Sequence, residues 1–117
     1  MPTFDKREIA RAAEPVSSDE LAIGDTYFSV TYADEDMKIP LMESMTFIGK
    51  NLGDHDETET LYFQDAESYR EGIRLSDDPE PGSCNFFFCG PDQLDAIFDF
   101  ERALEELMRC SLRRAAT

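Results

Sequence analysis

The chain has 117 residues, of which 26 are Asp or Glu and 11 are Lys or Arg, a formal charge of −15. That balance excludes ordinary binding to DNA, RNA or anionic lipid, each of which depends on basic clusters. Hydrophobic residues at 41%, with nine Phe and four Tyr, are too many for a disordered acidic tail, and the length suits one folded domain over residues 1–117.

The first predicted element is a short helix over residues 6–14, within an N-terminal segment 1–15. Asp5 is a good N-cap, Glu8 stands at capping-box spacing, and Phe4 with Ile9 occupies the hydrophobic-staple positions. Pro15 stops the helix. Val16 to Asp25 reads as a loop. From Thr26 the period becomes two: Phe28, Val30 and Tyr32 on one face, Tyr27, Ser29 and Thr31 on the other. Asp34-Glu35-Asp36 is a polar turn. Pro40 predicts an edge or a bulge, and a second strand runs from Ser44 to Lys50.

Asn51 to Thr58 is a loop. A third strand, Glu59 to Gln64, leads to Asp65, which can cap one helical turn over Ala66 to Glu71, closed by Gly72. Ile73 to Leu75 is a candidate fourth strand, and Ser76 to Ser83 is a turn-rich connection. Cys84 to Cys89 has apolar residues on both faces, which predicts a central strand covered on both sides. A C-terminal helix is predicted over residues 91–114, with a break near Asp99 as a variant. Its apolar residues Leu94, Ile97, Phe98, Phe100, Leu104, Leu107, Met108 and Leu112 recur at helical spacing. Acids lead it and Arg109, Arg113 and Arg114 end it, as the macrodipole favours.

The expected fold is α+β. A small antiparallel, curled sheet of four or five strands, barrel-like in its extreme, forms a β-meander over 26–89, with a short N-terminal helix before it and the C-terminal helix packed on it.

No constellation for catalysis stands out. The single His55 lies in an acidic loop, a poor setting for a general base that needs fixed geometry. Cys84 and Cys89 fall on opposite faces of a strand and cannot share a metal. Asp54 to Glu59 offers oxygen ligands, but Gly53 precedes the acids instead of lying among them. Catalytic, cofactor and metal sites are therefore all expected to be absent. The odd count of three cysteines, and an N-terminus without a signal-peptide core, predict free thiols and a cytoplasmic location. No apolar run is long enough for a membrane span.

The charge is concentrated. Residues 25–83 hold fifteen acids and four bases, a net −11. Several acids stand at i, i+2, which in extended chain places them on one side. The expected partner-binding residues are Asp34, Glu35, Asp36, Asp54, Asp56, Glu57 and Glu59, with Tyr27 and Tyr62 on the polar-looking strand faces. The sequence thus predicts a small non-enzymatic binding or accessory protein acting on a protein partner, one that complements the acidity by being basic. One alternative is an acidic inhibitor or nucleic-acid mimic, of the immunity type, that blocks a basic surface. Another is a small-ligand binder or enzyme with an aromatic pocket. Homodimerisation through the N-terminal helix is a further option. The acidity also fits plain solubility or salt adaptation.

Overall fold

The computed structural model describes Ile9 and residues 12–53, 58–80, 82 and 84–116. Their architecture is mixed α+β. An antiparallel five-stranded sheet has the order β4-β3-β2-β1-β5, and a C-terminal helix packs on it. The strands are β1 (Thr26–Tyr32), β2 (Pro40–Lys50), β3 (Leu61–Asp65), β4 (Phe86–Cys89) and β5 (Ile97–Phe98). The helices are α1 (Ala66–Arg70) and α2 (Phe100–Ala115). The sheet is open, not a barrel: β4 and β5 are its two edges.

The local signals of the sequence build the first half of the sheet. β1 falls on the alternating stretch. The turn after it is closed by Asp34, whose carboxylate accepts from the backbone N–H groups of Lys38 and Ile39 at 3.0 and 2.8 Å. Burial works against this carboxylate's charge, but those N–H groups outweigh it and hold its pKa below the ordinary value. β2 begins at Pro40, four residues before the predicted start. Pro40 pairs with Tyr32, at the first position of the strand, where a missing N–H is tolerated. β3 joins only from Met45 onward, so residues 40–44 pair with β1 alone. A bulge between Phe47 and Gly49 bends the strand. Gly49 has φ 142, a backbone no side chain adopts readily.

β3 runs into α1 as the sequence predicts. Asp65 accepts from Ser68 N at 2.9 Å, and Gly72 takes φ 93 just beyond the helix. Residues 73–75 are not a strand. Ile73 N donates to Ser68 O and Ile73 O accepts from the Gln64 side chain, so this backbone is satisfied locally and needs no ladder.

Two further expectations are corrected. β4 is an edge strand, with Phe88 73% exposed, and not a central one. The helix expected over 91–114 starts at Phe100. Before it come a 3-10 turn (Pro91–Gln93) and β5, where Phe98 pairs with Phe28. Leu94 and Phe98 are buried as their spacing suggests, but a 3.6-residue recurrence also fits a turn followed by a strand. Asp99 caps α2 by accepting from Arg102 N at 2.8 Å, which is where the break was foreseen. Of the predicted N-terminal helix, Ile9 is helical and residues 12–14 are irregular. Its other positions lie outside the described residues.

Each sheet face has its own core. One gathers Val16, Tyr27, Met45, Phe47, Leu61, Phe63 and Leu94. The other gathers Ala13, Val30, Phe98 and Ala103, with Phe28, Tyr32 and Leu107 at its margin. α2 lies on this second face, against β1 and β5. A surface ion pair links it to the segment leading into β1: Arg102 Nη1 stands 2.9 Å from Glu20 Oε1. That bond, with the Ser17 contacts, holds the Glu20 carboxyl at about 2, down from 4.5. A depressed carboxylate stabilises the fold above its unfolded value and loses that contribution as pH falls through its folded one. The thermal midpoint is therefore expected to fall between pH 4.5 and about 2, and Glu20→Gln should flatten part of that fall. Superimposable pH curves for parent and variant would contradict the assignment.

Candidate functional site

α2 carries its charges inward and its largest apolar residues outward. The buried face comprises Ala103, Glu106, Arg109, Cys110 and Arg113. On the solvent side Phe100 is 64%, Leu104 51% and Leu112 40% exposed, with half-buried Met108 between them. Residues four apart lie one above another on a helix, so these four form a single ridge. The sequence reading placed them against the sheet. The core contact is made instead by Ala103, Leu107 and Cys110 and by the charged side chains.

The reason lies in what those charges hold. Glu106 is fully buried, and both its oxygens accept: Oε1 from Ala13 N at 2.6 Å, Oε2 from Arg113 Nη1 at 3.0 Å and from the Tyr32 hydroxyl. Arg113 also donates to Tyr32 Oη at 3.1 Å, to Met37 O at 3.3 Å and to Ile9 O. Arg109 Nη1 donates to Ala12 O at 3.1 Å. A buried carboxylate is tolerated only when paired and hydrogen-bonded, and here both conditions are met. Burial, then the bond to Glu106, pushes the Tyr32 phenol well above its ordinary pKa, so it remains a donor. The network clamps the main chain at Ile9, Ala12 and Ala13 to one flank of α2 and fixes the helix rotation. The ridge is thereby left outside.

The apolar surface continues onto the sheet. Met42 lies opposite Val30, and Ser44 opposite Phe28, so both share the face that α2 covers. Met42 is exposed. The Phe28 and Phe100 rings meet edge to face at 5.8 Å, joining ridge to sheet.

Those of the expected partner-binding residues that are described do not converge. Asp34 is occupied by its own turn. Glu35 and Asp36 are exposed and border a shallow depression of ≈ 420 Å³ with Lys38 and Arg113. Glu59 pairs with Lys50 at 3.0 Å. It lies beyond the other end of β2, roughly 33 Å away at 3.3 Å per residue. The described acids of this set therefore lie at two ends of the sheet. Asp54, Asp56 and Glu57 lie outside the described residues, as does His55. Tyr27 is buried at 4%. Its hydroxyl accepts from Ala22 N and donates to Glu20 O, so its ring belongs to the core and not to a surface. Tyr62 is half-buried against Phe88, ring centroids 6.1 Å apart.

Among the described residues no group of three or more His, Cys, Asp or Glu could hold a metal. No helix there is long and apolar enough to cross a membrane. Cys84, Cys89 and Cys110 form no disulfide. Burial, and then the charge of Asp92, raises the Cys89 thiol pKa, which disfavours the thiolate. Comparison of the chain with family models, with curated proteins and with solved structures gives no match.

Proposed function

We propose that the protein is a non-enzymatic binding or accessory protein that docks a protein partner on the outward ridge of α2. The observation that carries this reading is the inversion of the helix: Phe100, Leu104 and Leu112 exposed, Glu106 and Arg113 buried. A solvent-facing helix normally turns its apolar stripe to the core. A contiguous apolar ridge left outside marks an interaction surface, and anchors at i, i+4 and i+12, with Met108 at i+8 between them, suit a helix recognised along its length. The three free thiols support a reducing, cytoplasmic setting.

A photo-crosslinking side chain at Leu104 is expected to capture a protein in cells that express the chain, whereas the same group at Glu67 on α1 is not. Leu112→Arg should reduce capture by about tenfold or more, the loss typical of an interface anchor. Equal capture from both positions, or none from Leu104, would overturn the reading.

A further inference from the structure

We propose that the open edge of β2 is a further docking surface, separate from the ridge, and that it takes an extended, basic segment of a protein partner as an added strand. The β1–β2 ladder fixes which backbone groups face outward there. Ala33 N donates to Ile39 O and Phe47 N donates to Asp25 O, and both bonds belong to one unbroken register. Bonded and non-bonded pairs alternate in an antiparallel ladder, so the odd residues of β2 turn their N–H and C=O toward β1 and the even ones turn away. On that far side Thr46 meets Gln64 of β3. At Ser44 the same register reaches Ala66, where the chain has left the sheet for α1. Met42 and Ser44 therefore present both backbone groups, and Pro40 its carbonyl, to a lane that β3 vacates. Leu41, Met42, Glu43 and Ser44 are all exposed. A row of such ladder groups is completed by another extended chain.

Charge complementarity selects the occupant. Residues 26–44 hold Asp34, Glu35, Asp36 and Glu43 against the single base Lys38. Asp34 is engaged by its own turn, but Glu35, Asp36 and Glu43 form no ion pair with a described residue. Glu43 stands within the lane, and Glu35 and Asp36 stand in the turn that bounds it. Side chains of a strand alternate between faces, so Glu43 and Met42 look to opposite sides. The complementary segment alternates in the same way: basic residues beside Glu43, apolar residues beside Met42. A second copy of the chain would bring the same acids and a charge of −15 to this edge, which opposes self-pairing. β4 is an edge as well, but residues 84–90 carry no charge and select no basic partner.

Amide hydrogen exchange of the full chain, read by NMR with and without a capped peptide of alternating Val and Lys, tests this directly. In the chain alone the Met42 and Ser44 amides should exchange fast, while those of Leu41 and Glu43, which bond β1, exchange slowly. The peptide should slow Met42 and Ser44 by about tenfold or more, and its binding should weaken as salt rises. A peptide of alternating Val and Glu should bind about tenfold more weakly or worse. Met42→Pro removes the central outward donor and spares the β1 ladder, since proline is tolerated where the N–H faces away from a neighbour. It should weaken the Val/Lys peptide by about tenfold, with the slow amides of Leu41 and Glu43 showing that the hairpin is retained. Slow exchange at Met42 and Ser44 in the chain alone would mean that the lane is already filled, and overturns the proposal without any variant. So does a Val/Lys peptide that leaves both amides unprotected at roughly millimolar concentration. Equal binding to Met42→Pro would reduce the interaction to adsorption by charge, and equal affinity for the Val/Glu peptide would remove the basic occupant; either result overturns it.

Discussion

Arg113→Ala is expected to lower the unfolding free energy by about 3–5 kcal/mol, the cost of removing one member of a buried ion pair. The substitution strips Glu106 of its cation while leaving the carboxylate fully buried. It also orphans the carbonyls of Met37 and Ile9, which Arg113 now satisfies. For a domain of this size the thermal midpoint should fall by roughly 10–20 °C. Glu106→Leu combined with Arg113→Met should recover part of the loss, since an apolar pair carries no desolvation penalty. Recovery stays partial because Ala13 N and the Tyr32 hydroxyl lose their acceptor. Urea unfolding of the three variants measures both steps. A cost below about 1 kcal/mol for Arg113→Ala would show that the pair does not anchor α2.

Phe63→Ala should be comparably severe, about 3–5 kcal/mol. Phe63 is 1% exposed, packs edge-on to Tyr27 at 6.4 Å and lies 5.5 Å from the Phe47 ring. Its strand is held on both sides, with Phe63 paired to Phe47 of β2 and to Phe87 of β4. Neighbours fixed by two ladders cannot collapse into the vacated space, which keeps the cavity cost high. Phe88 sits on β4, separated from β1 by β3 and β2, at the open edge, and Phe88→Ala should stay within about 0.5–1 kcal/mol. A similar loss at both positions in urea unfolding would mean that β4 is not the edge of the sheet.

The features legible in the sequence are those with local causes. Period-two alternation located β1, and Asp65 with Gly72 bracketed the short helix because both caps act within a few residues. Strand order has no such cause. The apolar run Phe86-Phe87-Phe88 shows how much surface a strand could bury, not whether a neighbour lies on each side of it. The stretch from Leu94 to Phe98 failed for a related reason: three apolar residues at helical spacing also fit a turn followed by two residues of strand.

The candidate site was missed because its cause is distant. Glu106 is fixed by Ala13 and Tyr32, separated from it by 93 and 74 residues, and Arg113 by Ile9 at a separation of 104. Nothing near α2 in the chain announces those partners. One signal was available. Glu106, Arg109 and Arg113 share a face with Ala103, Leu107 and Cys110, a set whose charges need distant partners if that face is buried. The acidic residues are less informative than their number suggests. Their number was conspicuous, but Asp34, Asp99 and Glu106 bond the backbone, while Glu20 and Glu59 pair with bases. Net charge counts such carboxylates equally with free ones.

The central claim is that α2 is held by its charges and presents its apolar ridge outward. Urea unfolding of Leu104→Arg/Leu112→Arg beside Arg113→Ala, at protein concentrations low enough to exclude association, compares the two faces of one helix. The account predicts that the ridge variant unfolds within about 1 kcal/mol of the parent while Arg113→Ala loses about 3–5 kcal/mol. A ridge variant destabilised by several kcal/mol, beside a nearly neutral Arg113→Ala, would place the apolar ridge in the core and contradict it.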